Sequence, residues 1–232
     1  MSAIAEIAKL RKIAEDARRE YATKSEAAKK VTAAAEKAQL QLKDSKVIIS
    51  TKAKWEEAIK SRKAACEAVV IAQKKVTEWV EQTKKKSTEM ATGLAVKAAT
   101  GGNPDEIKKE LQEETKKAGE ALVMVMIDVA KEKQEEVSLL QKVYADAVRE
   151  KETNKGNELD QYMKNIQNDI NTKNKEASSL LEEASKKAEA AGGMAKQLQD
   201  RIKDTVNISS VKSNVSNLLN GAKKIDAIKK FF

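Results

Sequence analysis

Apolar residues recur at alternating spacings of three and four through most of the chain. In the first fifty residues the series runs Ala3, Ile7, Leu10, Ala14, Ala17, Tyr21, Ala28, Val31, Ala35, Ala38, Leu42 and Ile49, interrupted at Lys24 and Ser45. That alternation keeps one stripe of a helix apolar, so it predicts a long helix burying a seam against partners. Around residues 44–51 the side chains turn β-branched and polar. The seam resumes in a shifted frame through Ile48, Trp55, Ile59, Cys66, Val69, Val76, Val80, Met90 and Leu94, which predicts a kink, a short break or a stutter there.

Breaker residues punctuate this pattern sparsely. Between Met1 and Thr100 there is one glycine, Gly93, and no proline; the chain's single proline is Pro104. In the run Thr100-Gly101-Gly102-Asn103-Pro104, Gly101 suits the left-handed conformation that ends a helix and Asn103 suits the cap of the next. Pro104 suits a first helical position, and Asp105 and Glu106 suit the positive end of a helix. A second arm follows through Ile107, Leu111, Ala118, Leu122, Val125, Val129, Val143 and Ala147. It has a weak point at Asn154-Lys155-Gly156-Asn157 and resumes through Leu159, Met163, Ile166, Ile170, Ala177, Leu180, Ala184 and Ala191. After Gly192-Gly193, Leu198, Ile202 and Val206 start a third helical stretch, and Val211, Val215, Leu218, Ala222, Ile225 and Phe232 continue its apolar face.

The expected fold is therefore all-α. It is an elongated antiparallel hairpin of two very long helices over residues 1–193, turning at 100–104, with a C-terminal amphipathic helical segment over 194–232 that packs on the hairpin or is released from it. An unbroken first arm would reach on the order of 140 Å at 1.5 Å per residue. Composition agrees with a coiled-coil-like, thin bundle: 35% of residues are charged and only 3% aromatic, too few large side chains for a thick layered core.

The net charge of +9 is unevenly spread. Residues 1–103 carry 22 Lys and Arg against 13 Asp and Glu, residues 104–193 carry 15 against 20, and residues 194–232 carry 8 against 3. An acidic second arm laid on a basic first arm gains electrostatic complementarity, useful for partner choice and register more than for stability.

Candidate chemistry is thin. The chain has no histidine, which argues against Ser-His-Asp and Cys-His nucleophiles, imidazole bases and most transition-metal sites. No enzyme activity and no cofactor are expected. The carboxylate pairs Glu56-Glu57, Glu113-Glu114, Glu135-Glu136 and Glu182-Glu183 read as solvated helix faces, because adjacent helical residues point about 100° apart. Gly101-Gly102 lacks the spacing of a phosphate loop. Cys66, the only cysteine, excludes an intrachain disulfide and reads as a small buried hydrophobe on the seam. Trp55 and Trp79 read as packing anchors or contact points for a partner, Met124 and Met126 as a locally fatter core or an apolar strip exposed later, and Lys84-Lys85-Lys86 as a solvated face or a contact for phosphates or lipid headgroups.

The most distinctive candidate for contact is the C-terminal stretch. Val211, Val215, Leu218, Ile225, Phe231 and Phe232 form an apolar face, and Lys223, Lys224, Lys229 and Lys230 a basic one. Such a helix fits either an anionic membrane interface or a docking groove on the hairpin. No run approaches the ~20 apolar residues that span a bilayer; the longest, Ala121 to Ile127, ends at Asp128. Lys9, Arg11 and Lys12 interrupt the apolar residues near the start, unlike a signal peptide, so the expected location is cytoplasmic or reached without a cleaved signal.

The leading expectation for function is a non-enzymatic helical bundle acting through protein contacts and self-association, as scaffold, coat, spacer or filament subunit. Its partners would be further copies of itself or another helical protein. The alternative, from the shape alone, is a membrane-acting protein. A long basic hairpin of this size is similar to BAR-type and ESCRT-III-like membrane remodellers and to subunits of the ClyA-like α-helical pore-forming toxins. Through its basic amphipathic C-terminus that alternative takes an anionic membrane surface as partner, although Ala121 to Ile127 is shorter than the apolar element with which such toxins cross a bilayer. A pI near 9.3 also raises nucleic acid. Lysines interspersed with acids, few aromatics and no reading motif argue against it.

Overall fold

The computed structural model describes residues 3–41, 48–91, 103–153 and 158–190, and all of these except Asn103 are α-helical. There are four helices among the described residues: α1 (Ala3–Gln41), α2 (Ile48–Ala91), α3 (Pro104–Thr153) and α4 (Glu158–Ala190). At 50 residues, α3 is about 75 Å long.

The start of α3 follows the capping logic read from the sequence. Asn103 Oδ1 accepts a hydrogen bond from the Asp105 amide at 3.2 Å, and the Asn103 carbonyl accepts one from the Ile107 amide at 3.2 Å. Pro104 takes the first helical position, where a missing donor costs nothing. Gly101, Gly102 and the Gly192-Gly193 pair lie outside the described residues.

Successive helices pack on one another and run in alternating directions. Between α1 and α2, Glu6 meets Lys86 and Thr32 meets Arg62, an antiparallel register. Ser87 beside Thr115 and Trp55 beside Asp146 set α2 antiparallel to α3. Lys133 with Glu176 and Lys151 with Asp160 do the same for α3 and α4. Helix α1 also reaches α3 in parallel, through Arg11 with Glu114 and Gln39 with Asp146.

This corrects the expectation of two very long helices. Because α1 and α2 lie against each other, the chain reverses between Gln41 and Ile48 where a kink or stutter was expected, and it reverses again between Thr153 and Glu158. Each expected arm is thus folded into two helices. The physical reason is burial: a single seam of small Ala side chains gains more by meeting two or three neighbours than by extending against one. The third, C-terminal helix and the boundary at residues 193/194 fall outside the described residues.

Helix α3 is central. It touches α1, α2 and α4, and from Leu122 to Val148 every residue but Lys131 is at least partly buried. One apolar cluster joins Ile7, Val76, Trp79, Leu111, Leu122 and Met126; a second joins Ala35, Trp55, Ala58, Val143, Ile166 and Ile170. Both tryptophans are packing anchors, and Met126 is buried with Met124 packed at the edge of its cluster.

Candidate functional site

Between the two apolar clusters the seams of three helices carry polar residues at the same level. On α2 the buried positions step through Trp55, Ala58, Arg62, Ala65, Val69, Ala72, Val76 and Trp79, so Arg62 occupies a seam position between apolar neighbours. On α3, Glu132 and Glu136 are buried on the side facing α2, between Val129 and Leu139. On α1 the seam passes through Ser25, which is buried, rather than through the exposed Lys24 on which the expected series was interrupted. One residue of register decides which of the two faces the core.

Glu132 is the hub. Its Oε1 accepts hydrogen bonds from the Ser25 hydroxyl at 2.5 Å and the Tyr21 hydroxyl at 3.2 Å, and its Oε2 accepts one from Arg62 Nη1 at 3.1 Å. The Arg62 and Glu132 side chains are only 3% and 2% exposed, so this ion pair is fully desolvated. Arg62 Nε also donates to Thr32 Oγ1 at 3.4 Å, while the Thr32 hydroxyl donates to the Ala28 carbonyl at 2.8 Å. Three helices are tied through one carboxylate.

One turn further along α3, Glu136 repeats the motif toward α4. Its Oε2 accepts from Lys173 Nζ at 2.7 Å and from the Cys66 thiol at 3.6 Å, with the Glu136 side chain 1% exposed. Glu136 Oε1 makes no hydrogen bond, and neither does the buried Gln134 Oε1 nearby. The expectation that Glu135-Glu136 is a solvated face therefore fails at Glu136. Positions 132 and 136 lie four apart on the same side of α3, the side that α2 covers.

The electrostatics of this centre suppress nucleophilic chemistry. Burial pushes the Cys66 thiol up to about 12, with the Glu136 and Glu132 carboxylates adding to the effect. Cys66 is half-buried rather than a wholly enclosed hydrophobe, and it is held as a neutral thiol near neutral pH. Burial, then Asp128 and Glu132, likewise raises the Tyr21 phenol. Carboxylates beside a thiol stabilise its protonated form, the reverse of what an activated cysteine needs.

A second feature is a shallow cleft of about 270 Å³ between α1, α2 and α3, whose lining includes Arg11, Arg18, Trp79, Lys117, Glu120 and Met124. Trp79 Nε1 is buried without a hydrogen bond, whereas Trp55 Nε1 donates to Asp146 Oδ2 at 3.1 Å. Arg11 is already engaged, by Glu15 at 2.9 Å and Glu114 at 3.1 Å.

Among the described residues no group of three or more Cys, Asp or Glu is placed to hold a metal ion. No described helix is long and apolar enough to cross a membrane. Lys84 and Lys85 are exposed, as expected of a solvated face, and Lys86 pairs with Glu6 and Glu89. The C-terminal contact residues Val211, Val215, Leu218, Ile225, Phe231, Phe232, Lys223, Lys224, Lys229 and Lys230 lie outside the described residues. In comparisons with known proteins no family model matches the chain, and neither does a curated protein nor a solved structure.

Sequence reasoning missed Arg62, Glu132 and Glu136 as a group. A signal existed: each stands at a point where the 3,4 series lacks an apolar residue.

Proposed function

We propose that this protein is a non-enzymatic, rod-like helical bundle that works through protein contacts and self-association, as a scaffold, coat, spacer or filament subunit. The observation that supports this reading is how the buried reactive groups are used. Arg62, Glu132, Glu136, Lys173 and Cys66 bond to one another across helices instead of converging on a cleft, so their chemistry goes into fixing which helix faces which, and at what register. A rod with helices up to about 75 Å long offers extended sides for contact with copies of itself or with another helical protein.

Sedimentation velocity on the full chain, over a concentration series without lipid, tests this reading. The expected result is a reversible rise in mass with concentration. A monomer at every concentration, together with co-sedimentation on anionic vesicles, would replace it with the membrane-acting alternative, which rests on the basic C-terminal stretch.

A further inference from the structure

The outward side of α2 carries an ordered series of charges around two exposed apolar residues. Val70 and Ile71 are 49% and 52% exposed, among the few large apolar side chains in the described residues that face solvent. At 3.6 residues per turn, Glu56, Lys60, Lys63, Glu67, Lys74, Glu78, Glu81 and Lys85 fall within about 50° of the same line along the helix. All are exposed except Glu78, whose side chain is 38% exposed. Neither α1 nor α3 covers this face.

The signs of these charges are antisymmetric about the midpoint between Val70 and Ile71. Counting outward in equal steps, Glu67 mirrors Lys74, Lys63 mirrors Glu78, Lys60 mirrors Glu81 and Glu56 mirrors Lys85. The flanking Glu57 and Lys84 obey the same rule. We propose that this face is a self-association surface on which a second copy of the chain docks antiparallel, across a two-fold axis passing between Val70 and Ile71. The inference rests on the self-association reading above and names the surface that carries it.

A two-fold axis sets each residue on one copy against its mirror position on the other, so every pair named above becomes an attraction, and each occurs twice. Val70 and Ile71 of both copies meet at the centre, the place where an interface buries its apolar residues. In a parallel, in-register pairing each residue would face itself, Glu on Glu and Lys on Lys. The same charges that favour the antiparallel pair therefore reject the parallel one. The contact of Lys75 with Glu78 at 3.4 Å is a half-exposed pair within one helix, and such pairs exchange partners at little cost. An interface made mostly of exposed charge weakens with salt.

The test uses charge reversal and rescue in the full chain, read by sedimentation velocity at low and high salt. Glu67→Lys turns two attractions per dimer into repulsions and is expected to weaken association about tenfold, with the same for Lys74→Glu. Glu67→Lys combined with Lys74→Glu restores the pairing with its sense exchanged, and association returns to within about threefold of the parent chain. Thermal melts confirm that each variant keeps the helical fold.

Disulfide capture in a Cys66→Ala background checks direction. Ile71→Cys, beside the axis, cross-links readily, while Glu56→Cys, on the order of 40 Å from its symmetry mate, does not. Association that ignores all three charge variants, or equal capture at positions 56 and 71, would overturn this surface while leaving self-association standing. A parent chain that stays monomeric at low salt would overturn both.

Discussion

Around Ile7, Val76, Trp79 and Leu111 the helices meet through apolar side chains, whereas about 30 Å along α3 the same seams meet through Arg62, Glu132 and Glu136. Both regions are buried to a similar degree and both join the same helices. They differ in what a misplaced neighbour would cost. An apolar seam constrains sliding less, because burial is non-directional and one apolar neighbour can stand in for another. A buried carboxylate tolerates less sliding, because a shift carries Glu132 away from the Tyr21, Ser25 and Arg62 donors that it meets together in this register. The apolar region supplies cohesion, and the polar region selects the register in which cohesion is realised.

That contrast is most directly broken by Arg62→Ala, which leaves Glu132 desolvated beside two hydroxyls. Urea denaturation should show a loss of about 4 kcal/mol. Replacing both partners, as Arg62→Met with Glu132→Leu, should recover most of that loss. The recovered chain should then show more than one helix register by hydrogen exchange, the signature of cohesion without selection.

In the apolar region Leu111→Ala should cost about 3 kcal/mol by the same denaturation measurement. The side chain is 2% exposed, and no partner is stranded by its removal.

A pH series sharpens the contrast further. The Cys66 thiol ionises at about 12 in the folded chain against 9.0 as an ordinary thiol, so between those values the folded state holds a proton that the unfolded state has released. Its contribution is complete below pH 9 and is lost as pH rises toward 12. The raised Tyr21 phenol acts in the same direction from its ordinary value of 10.0 upward. Denaturation midpoints should fall between pH 9 and 11, and Cys66→Ala should flatten that fall.

The smallest effect compares one substitution in two places. Trp55→Phe removes a donor from Asp146, whereas Trp79→Phe removes an N–H that has no acceptor. Trp55→Phe should cost about 1 kcal/mol more than Trp79→Phe in denaturation, the two sharing the loss of ring volume.

Much of this architecture was legible in the chain. The 3,4 series marked the helices, and Asn103-Pro104 placed the start of α3 correctly, because capping depends on residues next to each other in sequence. The reversals between Gln41 and Ile48 and between Thr153 and Glu158 were marked as weak points but not as turns. A shift in apolar frame looks the same whether the helix kinks or doubles back. The polar centre was hidden for a different reason. Arg62, Glu132 and Ser25 each interrupt a local pattern, and only the register of three helices converts those interruptions into one bonded group. Lys24 and Ser25 show the limit plainly: the series could be threaded through either, and the position of Glu132 chooses.

Glu132 on α3 meets side chains that are all made before it, on α1 and α2. During synthesis Arg62 leaves the ribosome 70 residues ahead of Glu132, and at roughly 5 to 20 residues per second that interval is about 4 to 14 s. Through those seconds the guanidinium on the inner seam of α2 exists without the carboxylate that it meets in the finished bundle. The bonded group that spans three helices is thus available only once the third of them has been made.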